Sequence, residues 1–362
     1  MAQKPVNFPA ESSWDSLAPG QDTRDLAAMV RRFFGDRFGP DVMRRALDEP
    51  AADSWQSLMG LGLPAIGLPE SAGGDGTLLD CAVVLEEAGR AFVTEPLLAS
   101  AMANLTQAAA GLHHPDWQST AGALGVGRPR RAGSTSESMI VDVLDLRETS
   151  RLTLVLPSDS GARICVIEPG HLMADVTDTA GHIDPTRTAT KLQIDPTSLA
   201  DSSTTPDQTL PSLLAPARVA VAADLVGLAA AALDSAVAHV LQREQFGRQL
   251  GSFQAVKHAL ADAYVAVERA RSLTWGAAVT ISAGGPAEDI EDLPRLAKAA
   301  ASDAANVLSK LHTQLLGALG MTFEADSHLF VRRAAQTTPF LGSASELYAA
   351  VARTRHRRSR HA

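Results

Sequence analysis

The chain has 362 residues, 45% of them hydrophobic, and a formal net charge of −9, which allows two or three structural units around a substantial core. The negative charge disfavours nucleic-acid binding, and the two distant cysteines, Cys81 and Cys165, predict buried thiols in a reducing cytosol and no metal site. No apolar run is expected to span a bilayer, and Met1–Pro5 lacks a signal-peptide pattern, so we expect a cytoplasmic protein with no membrane partner.

The first third of the chain is predicted to be helical. After a loose lead-in over residues 1–20, apolar residues recur at helical spacing in Asp22–Phe38, and Leu61–Pro69 is a predicted turn. Glu86 and Glu87 are adjacent and diverge by about 100° on a helix, so we interpret them as solvated or helix-pairing charges, not as a paired catalytic site. Further helices are expected at Pro40–Leu47, Ala51–Met59, Thr77–Phe92 and from Glu95 to near Gly111.

The composition changes after about Trp117. Short runs of branched apolar residues alternate with Gly, Pro, Asp, Ser and Thr, which is typical of a small β domain. Asp184–Arg187 is a predicted turn that leads into a strand, and Ala200–Pro211 is a predicted loop or linker. Strands are expected at Met139–Val143, Leu152–Leu156, Ile164–Ile167 and Leu192–Ile194.

From about Leu213 to the end the pattern is helical again. Alanines around Gly227 predict a narrow-sided helix against which other helices can pack closely, and a basic, glutamine-rich elbow, Arg243–Gln254, joins it to the next helix. Bundle helices are expected at Val219–Gln242, Ala255–Ser282, Arg295–Leu319 and Glu346–Arg353. The predicted fold is mostly α with a central β domain: an N-terminal helical domain (1–117), a middle β-barrel or sandwich (118–212) and a C-terminal four-helix bundle (213–362).

Three motifs, in this order and at this spacing, resemble those of a known family. Leu61–Leu68 leads through Gly73-Gly74 into the helix Leu79–Gly89, the elbow has the pattern RxxFGxxLxxFQ, and Gln314–Gly320 is similar to QxxGGxG. Together they resemble the acyl-CoA dehydrogenase family over nearly the whole chain. The resemblance implies that family's fold, flavin adenine dinucleotide (FAD) as cofactor, an acyl-CoA thioester as substrate and an electron-transfer acceptor.

The resemblance also assigns cofactor contacts. Arg243 would contact the FAD pyrophosphate, which suits a planar guanidinium, on a flavin held mostly by a neighbouring subunit. Gln254 and Gln314 would hydrogen-bond the adenosine half, and Gly317 and, less freely, Ala318 would let the backbone approach the cofactor. A solvated helix-end charge is the alternative for Arg243, and the surrounding motif favours the cofactor role. The cofactor-binding candidates are Arg243, Phe246, Gln254, Gln314, Gly317 and Ala318.

The residues that would do the family's chemistry are missing. The reaction needs a base that removes the α-proton of the thioester while a hydride leaves the β-carbon, and family members supply a glutamate from one of two positions. Here these positions are Ala217 and Leu341, so no catalytic residue is predicted. The "TEPxxGSD" and "WIT" stretches that hold the flavin ring are also absent between residues 118 and 212. Glu346, Glu324 and Asp224 are weighed as substitute bases, and each is interpreted as a surface or helix-capping charge.

The chain keeps the residues that would contact the adenosine half of the FAD, but it lacks the base and the segments that hold the flavin ring. This combination implies that the chain forms half of a composite site. Some actinobacterial acyl-CoA dehydrogenases that shorten steroid side chains are α2β2 heterotetramers, and this chain resembles their degenerate β subunit. The first hypothesis is a non-catalytic subunit that completes the FAD site of a catalytic partner. Two alternatives stay open: a self-sufficient homo-oligomeric dehydrogenase with a relocated base such as Glu346, and a non-enzymatic acyl-CoA- or partner-binding protein of the same fold. The acyl group and the electron acceptor are left open.

Overall fold

The computed structural model describes residues 19–39, 54–112, 120–129, 139–158, 161–171, 175–178, 183–199 and 209–360. In these residues the predicted order of helices, then a sheet, then a helical bundle is confirmed. The fold class is therefore mostly α with a central β region. Among the described residues, the helices that precede the sheet are α1 (Gln21–Arg37), α2 (Ser54–Gly60), α3 (Leu78–Arg90) and α4 (Leu97–Ala109).

The N-terminal helices follow the predicted segments. The helix expected at Asp22–Phe38 is α1, and α3 begins at a capping box in which the side chains of Thr77 and Asp80 each accept a hydrogen bond from the other's backbone N–H. The predicted turn at Leu61–Pro69 contains a single turn of 3₁₀-helix. The helix predicted at Pro40–Leu47 lies outside the described residues, as do residues 51–53 at the start of the next one.

The strands form one mixed six-stranded sheet, which refines the predicted barrel or sandwich. Its spatial order is β4-β3-β1-β2-β6-β5, with β1 and β3 parallel and the other neighbours antiparallel. All four predicted strands are present. The strands are β1 (Gly122–Pro129), β2 (Met139–Leu144), β3 (Arg151–Ser158), β4 (Gly161–Ile167), β5 (Asp175–Asp178) and β6 (Ala189–Ile194).

Strand β1 was not predicted because it is rich in glycine, which sequence propensities count against a strand. The packing of its neighbours explains the composition. A Cβ atom at Gly125 would lie 2.4 Å from the side chain of Val141, and one at Gly127 would lie 2.8 Å from that of Leu156. The glycines therefore leave room for large side chains of the adjacent strands β2 and β3.

The C-terminal part is the predicted helical bundle, but several of its helices differ from the predicted ones. Helix α8 starts at Ala287, well before the predicted Arg295, and continues through Pro294 although proline removes one backbone donor. Helix α9 was not predicted. The helices are α5 (Leu210–Leu213), α6 (Ala215–Gln242), α7 (Gln254–Ser282), α8 (Ala287–Leu316), α9 (Ser327–Thr337) and α10 (Ala344–Ser359).

Helix α6 lies in the centre of the fold. By length and composition it could cross a membrane, which corrects the expectation that no apolar run is long enough. The most apolar stretch of this helix is 83% buried inside the protein, as in the core helix of a globular fold. The predicted close packing at Gly227 is confirmed, because a Cβ atom there would lie 1.8 Å from the Glu86 carbonyl oxygen of α3.

Buried charges tie the three parts of the chain together. Arg187, in the turn before β6, donates to both carboxylate oxygens of Asp224 in α6, at 2.8 and 2.9 Å. Arg333 of α9 donates to Asp184 at 2.9 Å and to the Val93 carbonyl oxygen at 3.2 Å. Arg187, Asp224, Arg333 and Asp184 are all at most 3% exposed, so the interpretation of Asp224 as a surface or capping charge was wrong.

The adjacent glutamates of α3 are also buried, at 6% and 4% exposure. Glu86 accepts from Arg271 of α7 at 2.8 Å, and Glu87 accepts from Arg31 of α1 in a bidentate pair. They point to different partners, as expected for neighbouring positions on a helix. The helix-pairing interpretation is confirmed, and the solvated alternative was wrong.

Candidate functional site

The predicted elbow is a short hairpin at the end of α6. Its two-residue strands, Glu244–Gln245 and Arg248–Gln249, pair antiparallel on either side of Phe246 and Gly247. The φ angles of these two residues are +54° and +75°, the combination that tight two-residue hairpins require. Glycine adopts this conformation readily and phenylalanine at a cost. The Phe246 side chain is 88% exposed, so burial within this chain does not offset that cost.

The backbone of Arg243 is hydrogen-bonded, whereas its side chain is exposed. Its N–H donates to the His239 carbonyl at 2.9 Å, and its own carbonyl accepts from Leu250 at 2.8 Å. The side chain is exposed and makes no ion pair within the part of the chain that the structure describes. Gln254 begins α7, is exposed, and lies 3.0 Å from the ring of His258. The elbow thus presents a cation and an amide on a fixed backbone.

Helices α6 and α8 run parallel, which brings the two predicted cofactor segments to one end of the bundle. Near the C-terminal ends of both helices, the Ser235 hydroxyl lies 2.9 Å from Nε2 of His312. Gln314 and Ala318 are therefore at the same end as the elbow, and both are exposed. Gly317 ends α8 with φ +62°, and no atom approaches the position of its missing Cβ.

The same end of the bundle exposes an unusual amount of apolar surface. Single exposed apolar residues are normal, whereas a group of them marks an interaction surface. Five large side chains here are between 42% and 88% exposed: Leu241, Phe246, Leu319, Met321 and Phe323. We call these five residues the apolar rim.

The groups at this end fit the phosphate and adenosine part of an FAD. An unpaired guanidinium at Arg243 suits a pyrophosphate, because the charge-assisted hydrogen bonds are planar and bidentate. Amides at Gln254 and Gln314 can both donate and accept, as adenosine requires. The open backbone at Gly317 leaves space for close approach. These groups would contact one half of the cofactor only.

A cavity of about 600 Å³ lies at the opposite end of α6, between the sheet and the bundle. Strands β1, β2 and β6 form one wall, and the start of α6 with the segment between α9 and α10 forms the other. Its apolar lining includes Val126, Leu144, Leu214 and Phe340. Its charged lining consists of Arg128, Asp142, Lys191, Arg218 and Glu346.

The two positions at which the resemblance would place a glutamate lie close to this cavity. Leu341 lines it, and Ala217 is fully buried in the first turn of α6. The neighbouring Arg218 donates to the Leu341 carbonyl at 3.4 Å, which joins the two segments. Leu341 has φ +56°, a left-handed conformation that is uncommon for such a residue. The two positions that lack a carboxylate, Ala217 and Leu341, therefore belong to one site.

Two buried basic side chains stand beside those positions. Arg218 is 8% exposed, and burial together with Arg295 lowers its pKa to about 10, so it remains charged at neutral pH. Lys298 of α8 is fully buried and donates to the carbonyls of Thr338 and Gly342, the latter at 2.5 Å. Burial and the charge of Arg218 lower the pKa of Lys298 to about 7. Arg218 therefore makes this wall of the cavity electropositive.

Each substitute base either is held by hydrogen bonds or lies away from the cavity. Glu346 lines the cavity, but it caps α10 by accepting from the backbone and hydroxyl of Ser343 at 2.8 and 2.7 Å, which confirms the capping interpretation. These hydrogen bonds lower the pKa of Glu346 and make it a weaker base. Glu324 is exposed beside the apolar rim, at the other end of the bundle. Asp224 is held by Arg187.

Sequence reasoning did not single out Arg218 or Lys298. A usable signal was present. Arg218 is the one charged residue in the apolar run 213–223. Burying a guanidinium among alanines costs free energy, so an arginine kept in such a run indicates a specific role. Lys298 stands in a similar alanine-rich setting in α8.

Comparison with known proteins places both helical parts in one family. The N-terminal domain of acyl-CoA dehydrogenases matches residues 20–114, and their C-terminal domain matches residues 209–355. The acyl-CoA dehydrogenase IpdE2 of Mycobacterium tuberculosis is 30% identical over 91% of this chain and 96% of its own length. The acyl-CoA dehydrogenase FadE34 of the same organism is also 30% identical, over 83% of this chain but only 42% of its own length.

Solved structures of the same fold span nearly the whole chain. A glutaryl-CoA dehydrogenase in complex with glutaryl-CoA has a TM-score of 0.73 at 22% identity, over 92% of this chain and 95% of that one. A variant of the Tcur3481-Tcur3483 steroid ACAD has a TM-score of 0.75 at 23% identity, over 94% and 99%. With the motifs, the fold and the two domain matches in agreement, the chain belongs to the acyl-CoA dehydrogenase family.

Proposed function

We propose that this chain is a non-catalytic subunit of a heteromeric FAD-dependent acyl-CoA dehydrogenase and completes the FAD site of a catalytic partner. The supporting observation is the distance along α6 between the cavity at its start and the elbow at its end. Arg218 at the cavity and Arg243 at the elbow are 25 residues apart, roughly 37 Å at about 1.5 Å per residue. A ribityl chain joins the flavin ring to its pyrophosphate and is far shorter. The elbow therefore serves a flavin whose ring lies in another chain.

That other chain is not a second copy of this one. In a homo-oligomer the elbow of one copy would serve the cavity of the next, and that cavity has Ala217 and Leu341 in place of a glutamate. A catalytic partner with its glutamate in place removes this difficulty. The bound flavin would accept the hydride from the β-carbon, whereas this chain would supply Arg243, Gln254 and Gln314 to position the cofactor. The apolar rim around them suits burial against the partner.

The relatives support a composite assembly. More than half of FadE34 lies outside the part that matches this chain, so a counterpart of this chain exists there joined to a long additional segment. The steroid ACAD has two component names, Tcur3481 and Tcur3483. We accordingly propose a steroid-type acyl-CoA as the substrate of the complex, an α2β2 assembly in the cytoplasm, and electron transfer from its flavin to a separate acceptor. For this chain we keep the domain boundaries 1–117, 118–212 and 213–362.

Co-expression tests the proposal. The chain purified alone is expected to bind little flavin and to show no acyl-CoA dehydrogenase activity. Co-expression with a family member that retains the glutamate, for example one encoded beside it, should give a stable complex with bound flavin and activity. Flavin absorbance and dye-linked turnover are the measurements. Full activity from the lone chain would refute the proposal and favour the relocated-base alternative. The hydrogen bonds that cap α10 and lower the pKa of Glu346 argue against that alternative.

Arg243→Ala in the complex is expected to lower flavin affinity by roughly ten- to hundredfold, because a charge-assisted phosphate contact contributes about 1.5–3 kcal/mol. Fluorescence titration of flavin into the stripped complex measures this. Arg32→Ala, at an exposed position on α1, is the matched control and should leave affinity within a factor of two. Equal affinity in the Arg243 variant and the control would favour a non-enzymatic binding protein that has only kept the fold.

A further inference from the structure

We propose that the cavity at the start of α6 is a binding site for a carboxylate attached to an apolar skeleton, with Arg218 as its anchor. The proposal concerns this chain's own cavity. It is independent of the elbow, since no residue of Arg243–Gln254 lines the cavity. Loss of the one function would therefore leave the other intact.

Arg218 is a buried cation with spare donors. It is 8% exposed, lines the cavity, and makes two long hydrogen bonds, to the carbonyls of Leu341 at 3.4 Å and Pro211 at 3.2 Å. Among the described residues Arg218 forms no ion pair, although the charge of Glu291, which pairs with Arg295, acts on it to raise its pKa. A guanidinium has five N–H donors, so several remain to be satisfied from the cavity. Burying such a group without an anion is costly, and a bound carboxylate would remove that cost.

The other charges of the cavity are already matched. Arg128 pairs with Asp142, and the Glu346 carboxylate is held by Ser343. Lys191 is exposed on β6. Behind Arg218, the buried amine of Lys298 donates to the Gly342 carbonyl and forms no ion pair in the described chain. With Arg128 paired to Asp142 and Glu346 held by Ser343, Arg218 is the buried lining cation that an anionic ligand would meet.

The remaining lining selects an apolar body. Val126 and Leu144 of the sheet face Leu214 and Phe340 of the helical side across the cavity. A volume of about 600 Å³ is in the range of pockets that enclose drug-sized ligands. A small inorganic anion would leave most of this apolar surface uncovered. The complementary ligand is a medium-chain or polycyclic carboxylate that places its charge at Arg218.

Decanoate and decanol are the matched probes, because they share an apolar chain and differ in charge. Isothermal titration calorimetry with the full chain, alone and in complex with its partner, should show decanoate binding at least tenfold tighter than decanol. Arg218→Gln should weaken decanoate by at least tenfold and leave decanol unchanged. Arg218→Lys should retain more decanoate affinity than Arg218→Gln. Arg128→Gln, at an exposed and already paired arginine of the same cavity, should change affinity by less than threefold.

Each result decides the proposal. Equal binding of decanoate and decanol, or undiminished decanoate binding by Arg218→Gln, would overturn it. Circular dichroism checks that the variants are folded. Should Arg218→Gln not fold, Leu341→Glu carries the test with the arginine in place, because a carboxylate on the cavity wall would compete for Arg218. Decanoate affinity should then fall at least tenfold, and an unchanged affinity would refute the assignment.

Discussion

Replacing Arg333 by methionine is expected to destabilise the protein by about 3–5 kcal/mol, because it leaves a buried carboxylate without its cation. Arg333 and Asp184 are both fully buried, and their side chains are 2.9 Å apart. The guanidinium also donates to the carbonyls of Val93 and Thr186, each at 3.2 Å, so the substitution removes donors from two further groups. Denaturant unfolding followed by circular dichroism gives the change in the free energy of unfolding.

Two controls separate this mechanism from a general loss of packing. Adding Asp184→Asn to Arg333→Met removes the stranded charge and should recover part of the lost stability. Arg128→Met breaks the exposed pair with Asp142 and should cost no more than about 1 kcal/mol. A loss below about 1 kcal/mol in Arg333→Met would show that the buried pair does not hold the parts of the chain together.

The buried charges also bear on the candidate ligand site. Gln336 lines the cavity and accepts from the backbone of Asp184 at 3.0 Å, while its amide donates to the Arg187 carbonyl. The turn that carries Asp184 and Arg187 is thereby fixed to α9. Loss of Arg333 is expected to disturb one wall of the cavity as well as the stability, so decanoate binding should weaken together with it.

Gly227→Ala is expected to destabilise the protein by about 3 kcal/mol, at the upper end of the usual range for overpacking. The added Cβ would lie 1.8 Å from the Glu86 carbonyl oxygen and 2.8 Å from the Arg90 nitrogen, both backbone atoms of α3. Backbone cannot move aside as a flexible side chain does. Gly89 on α3 makes the reciprocal contact, with its missing Cβ 2.1 Å from the Asp224 carbonyl. Thermal and denaturant unfolding measure the effect.

Gly276→Ala supplies the matched control for that substitution. Gly276 lies inside α7, and no atom is within 4 Å of the position its Cβ would take. Alanine there should stabilise the protein by about 0.5–1 kcal/mol, because glycine costs that much in a helix interior. The two substitutions add the same methyl group and are expected to have opposite signs. A stabilising Gly227→Ala would show that α3 and α6 do not approach as closely as described.

Local patterns predicted much of the fold because they depend on contacts within short segments. Helical periodicity located α1, α6 and α7, and branched apolar runs located four of the six strands. The errors have tertiary causes. Strand β1 was hidden by glycines that its neighbours require, and α8 begins before Pro294 because packing holds a helix through a residue that propensity treats as a break.

The sequence by itself determined the family, the order of helices and sheet, and the absence of a glutamate at Ala217 and Leu341, because motif identity and spacing are properties of the chain alone. Only the tertiary structure decided where these features stand. The parallel packing of α6 and α8 places Arg243 and Gln314 at one end of the bundle, and the length of α6 puts the cavity at the other. Burial also decided the role of the charged residues. Asp224, which the sequence analysis interpreted as a surface or capping charge, forms an ion pair in the core, and Arg218 is a buried cation that faces a cavity. Such assignments depend on distant segments meeting in space, which no local pattern records.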